Sequence, residues 1–390
     1  MSEPSAAGSS EAIKASMLLL AATFAALIFA NTGLAAAYKS VLGTEIGFDV
    51  WRFDFSSSLK EWIKNALMAV FFVFVGLEIK AEFQEGALAG RSQAMLPFAG
   101  AAGGMAAPAL IYLLLTPESF DRGWAIPTAT DIAFALGVVG FLGKRVSAPL
   151  RAFLLALAVI DDLGAILVIA LFYSGALKAW AVLGMALSIM ALAAISMRNV
   201  PKLWPYLLAG IVLWIFTLQS GINATLAGVI TALFVPLKAD GGSPLHRLAH
   251  GLKTPVHFAI MPIFAFANAG VPLTGLGLAD LAQPLTLGIA LGLILGKPLG
   301  IVLAVFATVK LGFAVLPAGA RWIEILAMAC LAGIGFTMSL FVGTLAFTDE
   351  ALINQVRLGV LGGSLVSALL GVGLILTAGL MLVRGRTSGP

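Results

Sequence analysis

The chain has 390 residues, of which 60% are hydrophobic and 11% charged, with a net charge of +4 and a mean hydropathy of +1.03. A water-soluble globular protein carries about 25% charged residues, so this composition excludes one and describes a membrane protein with little soluble mass. The single cysteine, Cys330, excludes an internal disulfide and a cysteine metal site; the basic excess is what the cytoplasmic loops of a polytopic protein carry, and it does not imply nucleic-acid binding.

In chain order, residues 1–13 are small, polar and mildly acidic and read as an N-terminal tail without structure. Residues 14–384 read as one transmembrane domain and 385–390 as a C-terminal tail. The apolar run 17–30 follows a leader with Glu3, Glu11 and only Lys14, unlike a signal peptide, so it is expected to persist as the first span. The polar connection 38–60 alternates at Ile46, Phe48 and Val50 and again at Phe53 and Phe55, which predicts a short β-hairpin. Such a hairpin either pairs with a second subunit or lies on the membrane surface. Apolar blocks then recur at 59–83, 95–115, 123–143, 150–173, 180–197, 204–218, 222–236, 255–272, 285–309, 325–347 and 358–382, so the expected fold is all-α with about twelve spans. Alternating the loops from a cytoplasmic N-terminus puts about two thirds of the 23 Lys and Arg on the cytoplasmic side, which supports an even number of spans with both ends inside.

Two spans carry breaks. The fourth holds Pro127, Thr128, Thr130 and Asp131 at mid-depth, and the eleventh holds Gly333, Gly335 and Thr337. Proline and paired glycines free backbone groups, which survive in a bilayer only where they line a cavity or pack in protein. Close helix packing is the simpler reading of each glycine alone. The matching positions of the two breaks make spans 3–5 and 10–12 candidate inverted repeats.

Ionisable residues at mid-depth are few: Asp131, Asp161, Asp162 and Lys297. Each costs about 2.5–3.5 kcal/mol to insert, even on the lenient scale. They must therefore face one another or water. Adjacent helical residues point about 100° apart, so Asp161 and Asp162 have different tasks. With one Lys against two Asp, Asp161 is expected to pair with Lys297 and Asp162 to bind a cation. A hard monovalent cation wants oxygens such as those of Asp162, Thr130 and the opened backbone near Asp131, and protons compete for the same carboxylates. Asp131 is expected mainly to compensate facing half-helix N-termini, with Lys297 compensating C-termini. At the cytoplasmic end of the second span Glu78 and Glu82 share a face and form either a funnel mouth for cations or a solvated helix end. His246 and His250 have i, i+4 spacing, but with no third ligand nearby a solvated face is favoured over a metal site.

At these residues the chain resembles the NhaA family of bacterial sodium/proton antiporters, through LMAVFFVFVGLEIK, PTATDIAFALG, LAVIDDLGAI, SGINATLAGVI, PIFAFANAG, GKPLG and GIGFTMSLF. The resemblance implies twelve helices in inverted repeats with two crossing broken helices, an arrangement of secondary transporters for which this family serves as an example. It implies no cofactor and no enzymatic activity, a bacterial inner-membrane location among lipid, and a homodimer formed through residues 45–58. It further implies electrogenic exchange of about two protons for each Na+ or Li+ exported, each net charge gaining about 2.3 kcal/mol per 100 mV. By the motifs, Asp161 and Asp162 take the transport-carboxylate roles, Lys297 the partner role, and Asp131 with Thr130 the broken-helix role. Departures lie in the family's pH-sensing shell: Asn65, Ala81, Asn223, Ala249 and Lys253 replace titratable or differently charged members, while Glu78, Glu82 and His250 remain. A displaced or less steep pH profile is expected. An intramembrane aspartyl protease would need its acids on separate helices and a GxGD context, which is absent; a sodium-coupled symporter would need a solute pocket beside the cation site.

Overall fold

The computed structural model describes residues 6–47, 49–50, 53–54, 56–273 and 277–387. Helices α1 (Ala6–Ala30) and α2 (Ala35–Gly43) precede four two-residue strands, β1 (Glu45–Ile46), β2 (Asp49–Val50), β3 (Phe53–Asp54) and β4 (Ser57–Ser58). α3 (Leu59–Trp62) runs through a π-helical turn at Ile63–Leu67 into α4 (Met68–Gln84), followed by α5 (Arg91–Leu115). Two 3-10 turns, Glu118–Gly123 and Ile126–Thr128, lead to α6 (Ile132–Leu142). Next come α7 (Ala148–Phe172), α8 (Ala179–Met197), α9 (Trp204–Ser220), α10 (Leu226–Phe234) and α11 (Pro244–Pro255). A π turn at Val256–Ile260 joins the last of these to α12 (Met261–Ala269). The chain ends with α13 (Leu278–Leu281), α14 (Pro284–Leu291), a π turn at Gly292–Gly296, α15 (Lys297–Lys310), α16 (Trp322–Ala332), α17 (Phe336–Ala346) and α18 (Glu350–Thr387).

Among the described residues, 6 helices are long and apolar enough to cross a membrane, or up to 8 when each bent pair counts as one span. The bent pairs are Glu118–Thr128 with Ile132–Arg145, at 43°, and Trp322–Ala332 with Phe336–Ala346, at 45°. π turns lie directly before α4, of 17 residues, and α12, of 9, and one lies inside the 27-residue apolar helix Pro284–Lys310. Large apolar side chains such as Leu114 (83% exposed) and Met197 (84% exposed) point outward on these helices, as a surface facing lipid requires. α1 starts at Ala6, so the part of 1–13 that is described differs from the unstructured tail expected there: its alanines continue the first span as helix. Residues 1–5 lie outside the described residues. So do 388–390 of the expected C-terminal tail; α18 runs through Thr387.

The backbone divides into two compact units. One comprises Met1–Leu20, Ala87–Ala165 and Thr274–Pro390. In it α15 lies along α5, and α18 packs against α14, α16 and α17. The contact of α5 with α15 is backbone to backbone: a Cβ on Gly103 would strike the carbonyl of Gly300, and one on Gly300 would strike the carbonyl of Gly103. Gly296 meets Pro108 in the same way. Small residues allow such approach, which is the main source of helix association where lipid is as apolar as the side chains.

The other unit comprises Ala21–Gly86 and Ile166–Leu273. Here α10 packs on α4 and α9, and α8 on α9, around a core with Leu77, Leu192, Leu213, Ala232 and Leu245. The strands form antiparallel pairs, Glu45 opposite Ser58, Ile46 opposite Ser57, Asp49 opposite Asp54 and Val50 opposite Phe53. Of the expected hairpin, Phe48, Trp51, Arg52 and Phe55 lie outside the described residues.

Candidate cation and proton site

The two interruptions have distinct local causes. In the first, Pro127 carries no N–H to continue a helix. Thr128 folds back on Ala125, its N–H and its Oγ1 both donating to that carbonyl, at 3.2 and 2.8 Å. The chain then extends through Ala129 until Asp131 restarts it, its Oδ1 accepting the N–H of Phe134 at 3.0 Å as an N-cap. In the second, Gly333 and Gly335 are required by proximity. A Cβ on Gly333 would lie 2.6 Å from the carbonyl oxygen of Leu293, and one on Gly335 would collide with Ser339 Oγ.

Each break satisfies the freed groups of the other. The Asp131 N–H donates to Ile334 O at 2.7 Å, and Thr130 Oγ1 donates to Ala332 O at 2.8 Å. In the opposite direction, Ser339 Oγ donates to Ile126 O at 2.7 Å. Asp131 Oδ2 accepts both the N–H of Thr337, at 3.1 Å, and its Oγ1–H, at 2.5 Å. One buried carboxylate therefore caps the N-termini of α6 and α17 together. Each terminus carries about half a positive charge, so the sum approximately matches the carboxylate.

The remaining mid-depth charges gather beside this crossing. Lys297, which opens α15 directly after the π turn, is 0% exposed; Asp161 and Asp162, halfway along α7, are 1% and 2% exposed. Lys297 Nζ donates to Asp161 Oδ2 and to Thr130 Oγ1, each at 2.5 Å. Asp162 is within electrostatic reach of the same ammonium. Thr130 thus bridges, receiving from Lys297 while donating to the broken end of α16. The Oδ1 atoms of Asp161 and of Asp162 are buried and receive no hydrogen bond from a described residue. A buried carboxylate oxygen with no donor is costly unless a proton or a cation meets it. Chemically the cluster offers hard oxygens for a small cation and exchangeable protons at the same place.

The structure brings Asp161, Asp162, Lys297, Thr130, Asp131, Gly333, Gly335 and Thr337 together within one compact unit. Glu78, Glu82 and His250 belong to the other unit. Glu78 and Glu82 interact with each other there, and Lys253 with Glu78, while His250 is exposed. His246 does not form a pair with His250 but meets Glu85 at 2.8 Å. Among the described residues no group of three or more His, Cys, Asp or Glu is arranged to hold a metal ion. Asn223, in the same unit, caps a turn, its Oδ1 accepting from Thr225 N and Oγ1. Ser339 and the serines of α18 escaped sequence reasoning, since a serine in an apolar helix usually bonds its own chain and carries no charge to betray it.

The family model described as Na+/H+ antiporter 1 matches residues 8–375. The chain is similar to a Na(+)/H(+) antiporter NhaA of Rhizobium etli, 50% identical over 371 residues, covering 93% of this chain and 92% of the relative. It is also similar to one of Shewanella loihica, 50% identical over 360 residues (91% and 92%), and to one of Bordetella parapertussis, 49% identical over 376 residues (94% of each).

Proposed function

The chain belongs to the Na+/H+ antiporter 1 family, and from that premise we propose that it is an electrogenic antiporter that exports Na+ or Li+ in exchange for protons by alternating access. The observation that carries the mechanism is the buried pair of Lys297 and Asp161 with Asp162 one residue away. Three ionisable groups in a buried cluster do not all change charge independently. When a cation binds Asp162 and Asp161, their protons leave; when protons return, the cation leaves. Lys297 and Asp131 stay as fixed countercharges, one for the carboxylates and one for the two half-helix N-termini. Because protons and cation occupy the same oxygens in turn, neither crosses without the other.

Exchange of about two protons for one cation moves a net positive charge inward, and each such charge gains about 2.3 kcal/mol per 100 mV, inside negative. A one-unit pH difference adds about 1.4 kcal/mol per proton. The potential alone can then expel sodium. The same reading has twelve spans with inverted repeats at spans 3–5 and 10–12, both termini cytoplasmic in a bacterial inner membrane, and a homodimer joined through residues 45–58. Glu78 and Glu82, on one helix face, attract cations.

Proteoliposomes test it. Sodium added to vesicles holding a pH gradient should dissipate that gradient in the wild type and leave it intact with Asp162→Asn. Sodium-driven flux retained by the variant would remove Asp162 from the role given it.

A further inference from the structure

Two serines on α18 answer two irregular stretches of backbone. The first is the start of α17. Its leading amides, those of Gly335 and Phe336, have no partner within the helix, and such groups in a bilayer cost several kcal/mol each. Ser364 Oγ accepts both, at 3.2 and 3.1 Å. The next amide, that of Thr337, goes to Asp131. The second stretch is the π turn before Lys297. There the Lys297 N–H donates to Gly292 O, so the carbonyl of Leu293 falls due to residue 298. Residue 298 is proline and has no N–H. Ser367 Oγ supplies the donor, at 3.3 Å from Leu293 O. A mid-helix serine ordinarily gives its hydroxyl to its own chain four residues back; Ser367 gives it across to another helix.

Ser364 is 6% exposed and Ser367 1%, and they lie three residues apart on one face of α18. That face is pressed close to its neighbours: a Cβ on Gly363 would lie 3.1 Å from Ala290 Cα, and one on Gly371 would lie 3.2 Å from Ala327 O. The same face therefore grips the π turn that leads into Lys297 and the break that contacts Asp131 and Thr130. Lys297 and Thr130 meet at 2.5 Å, a contact that a small slip of either segment would open.

We propose that Ser364 and Ser367 are positioning residues for cation–proton exchange: together they fix the broken helix and the π turn relative to each other, and so set how tightly the carboxylates hold a cation against a proton. The proposal rests on the antiporter reading above. The loss of either hydroxyl shifts the balance between cation and proton, beyond any effect on the amount of folded protein.

The test is sodium-driven proton flux in proteoliposomes across pH for wild type, Ser364→Ala, Ser367→Ala and the threonine variants Ser364→Thr and Ser367→Thr. Ser367→Ala, which loses one hydrogen bond, should raise the sodium KM by about fivefold; Ser364→Ala, which loses two, should raise it further; both should move the pH profile along its axis. Threonine, which keeps the hydroxyl, should restore both. Should Ser364→Ala not fold, Ser367→Ala and the threonine variants decide by the same readouts. Alanine variants with wild-type KM and pH profile, differing only in yield or maximal rate, would overturn the proposal. A wild type without sodium-driven flux would overturn the antiporter reading, and this inference with it.

Discussion

At the scale of single residues, the pair formed by Lys297 and Asp161 decides most. Removing one partner of a buried ion pair leaves an uncompensated charge and costs about 3–5 kcal/mol, whereas removing both together is often neutral. Lys297→Met should therefore lower thermal stability strongly, and Asp161→Asn in the same chain should recover much of it without recovering sodium-driven flux. A double-mutant cycle on melting temperature checks this; independent, additive losses would mean that the two groups do not share a charge. Thr130 joins Lys297 to the broken end of α16. Thr130→Val, which keeps the shape and removes the hydroxyl, should cut exchange by an order of magnitude or more, and Thr130→Ser should retain most of it, measured by the same flux. The charged members of the site were legible because a charge in an apolar run cannot be there for packing. Ser364, Ser367 and Ser339 were not, because what they bond to is set by which helices meet, and a hydroxyl costs an apolar span little.

At the scale of elements, the breaks themselves were readable from Pro127 and from Gly333 and Gly335. Their reciprocity was not: that Thr130 answers Ala332 O while Ser339 answers Ile126 O depends on the crossing in space. Nor were the π turns at Ile63–Leu67, Val256–Ile260 and Gly292–Gly296 legible, since one extra residue in a helical turn leaves the apolar pattern almost unchanged. The π turn at Gly292–Gly296 lies inside the apolar helix Pro284–Lys310, which at 27 residues keeps the length of a span. That turn positions Lys297, and its placement depends on the bare contact of α15 with α5. Gly300→Val puts a branched side chain where the Gly103 carbonyl stands. Overpacking of this kind costs about 1–3 kcal/mol, and here it also displaces Lys297. The variant should be less heat-stable and inactive in flux, measured on purified protein; full activity would show that the α5–α15 contact does not govern the lysine.

At the scale of the whole molecule, the composition pointed to a membrane protein, and the family model and relatives gave the family. The pairing of helices within each compact unit came only from the fold, because every apolar face in lipid resembles every other. Competition between protons and cation has a sign that is easily checked: lowering the proton concentration frees carboxylate for the cation, so the apparent sodium KM should fall as pH rises, until no proton remains to exchange. With Ala81, Ala249 and Lys253 at positions where other members of the family carry titratable or differently charged residues, that profile should lie displaced from, or be less steep than, those of members with the full titratable set; coincident profiles would remove those positions from the sensing role. The most direct measurement of the central claim is proton release when sodium is added to the purified protein in weakly buffered solution. The account predicts prompt release from the wild type, about two protons per bound sodium, and none from Asp162→Asn. Sodium binding without proton release, or release undiminished in that variant, would contradict it.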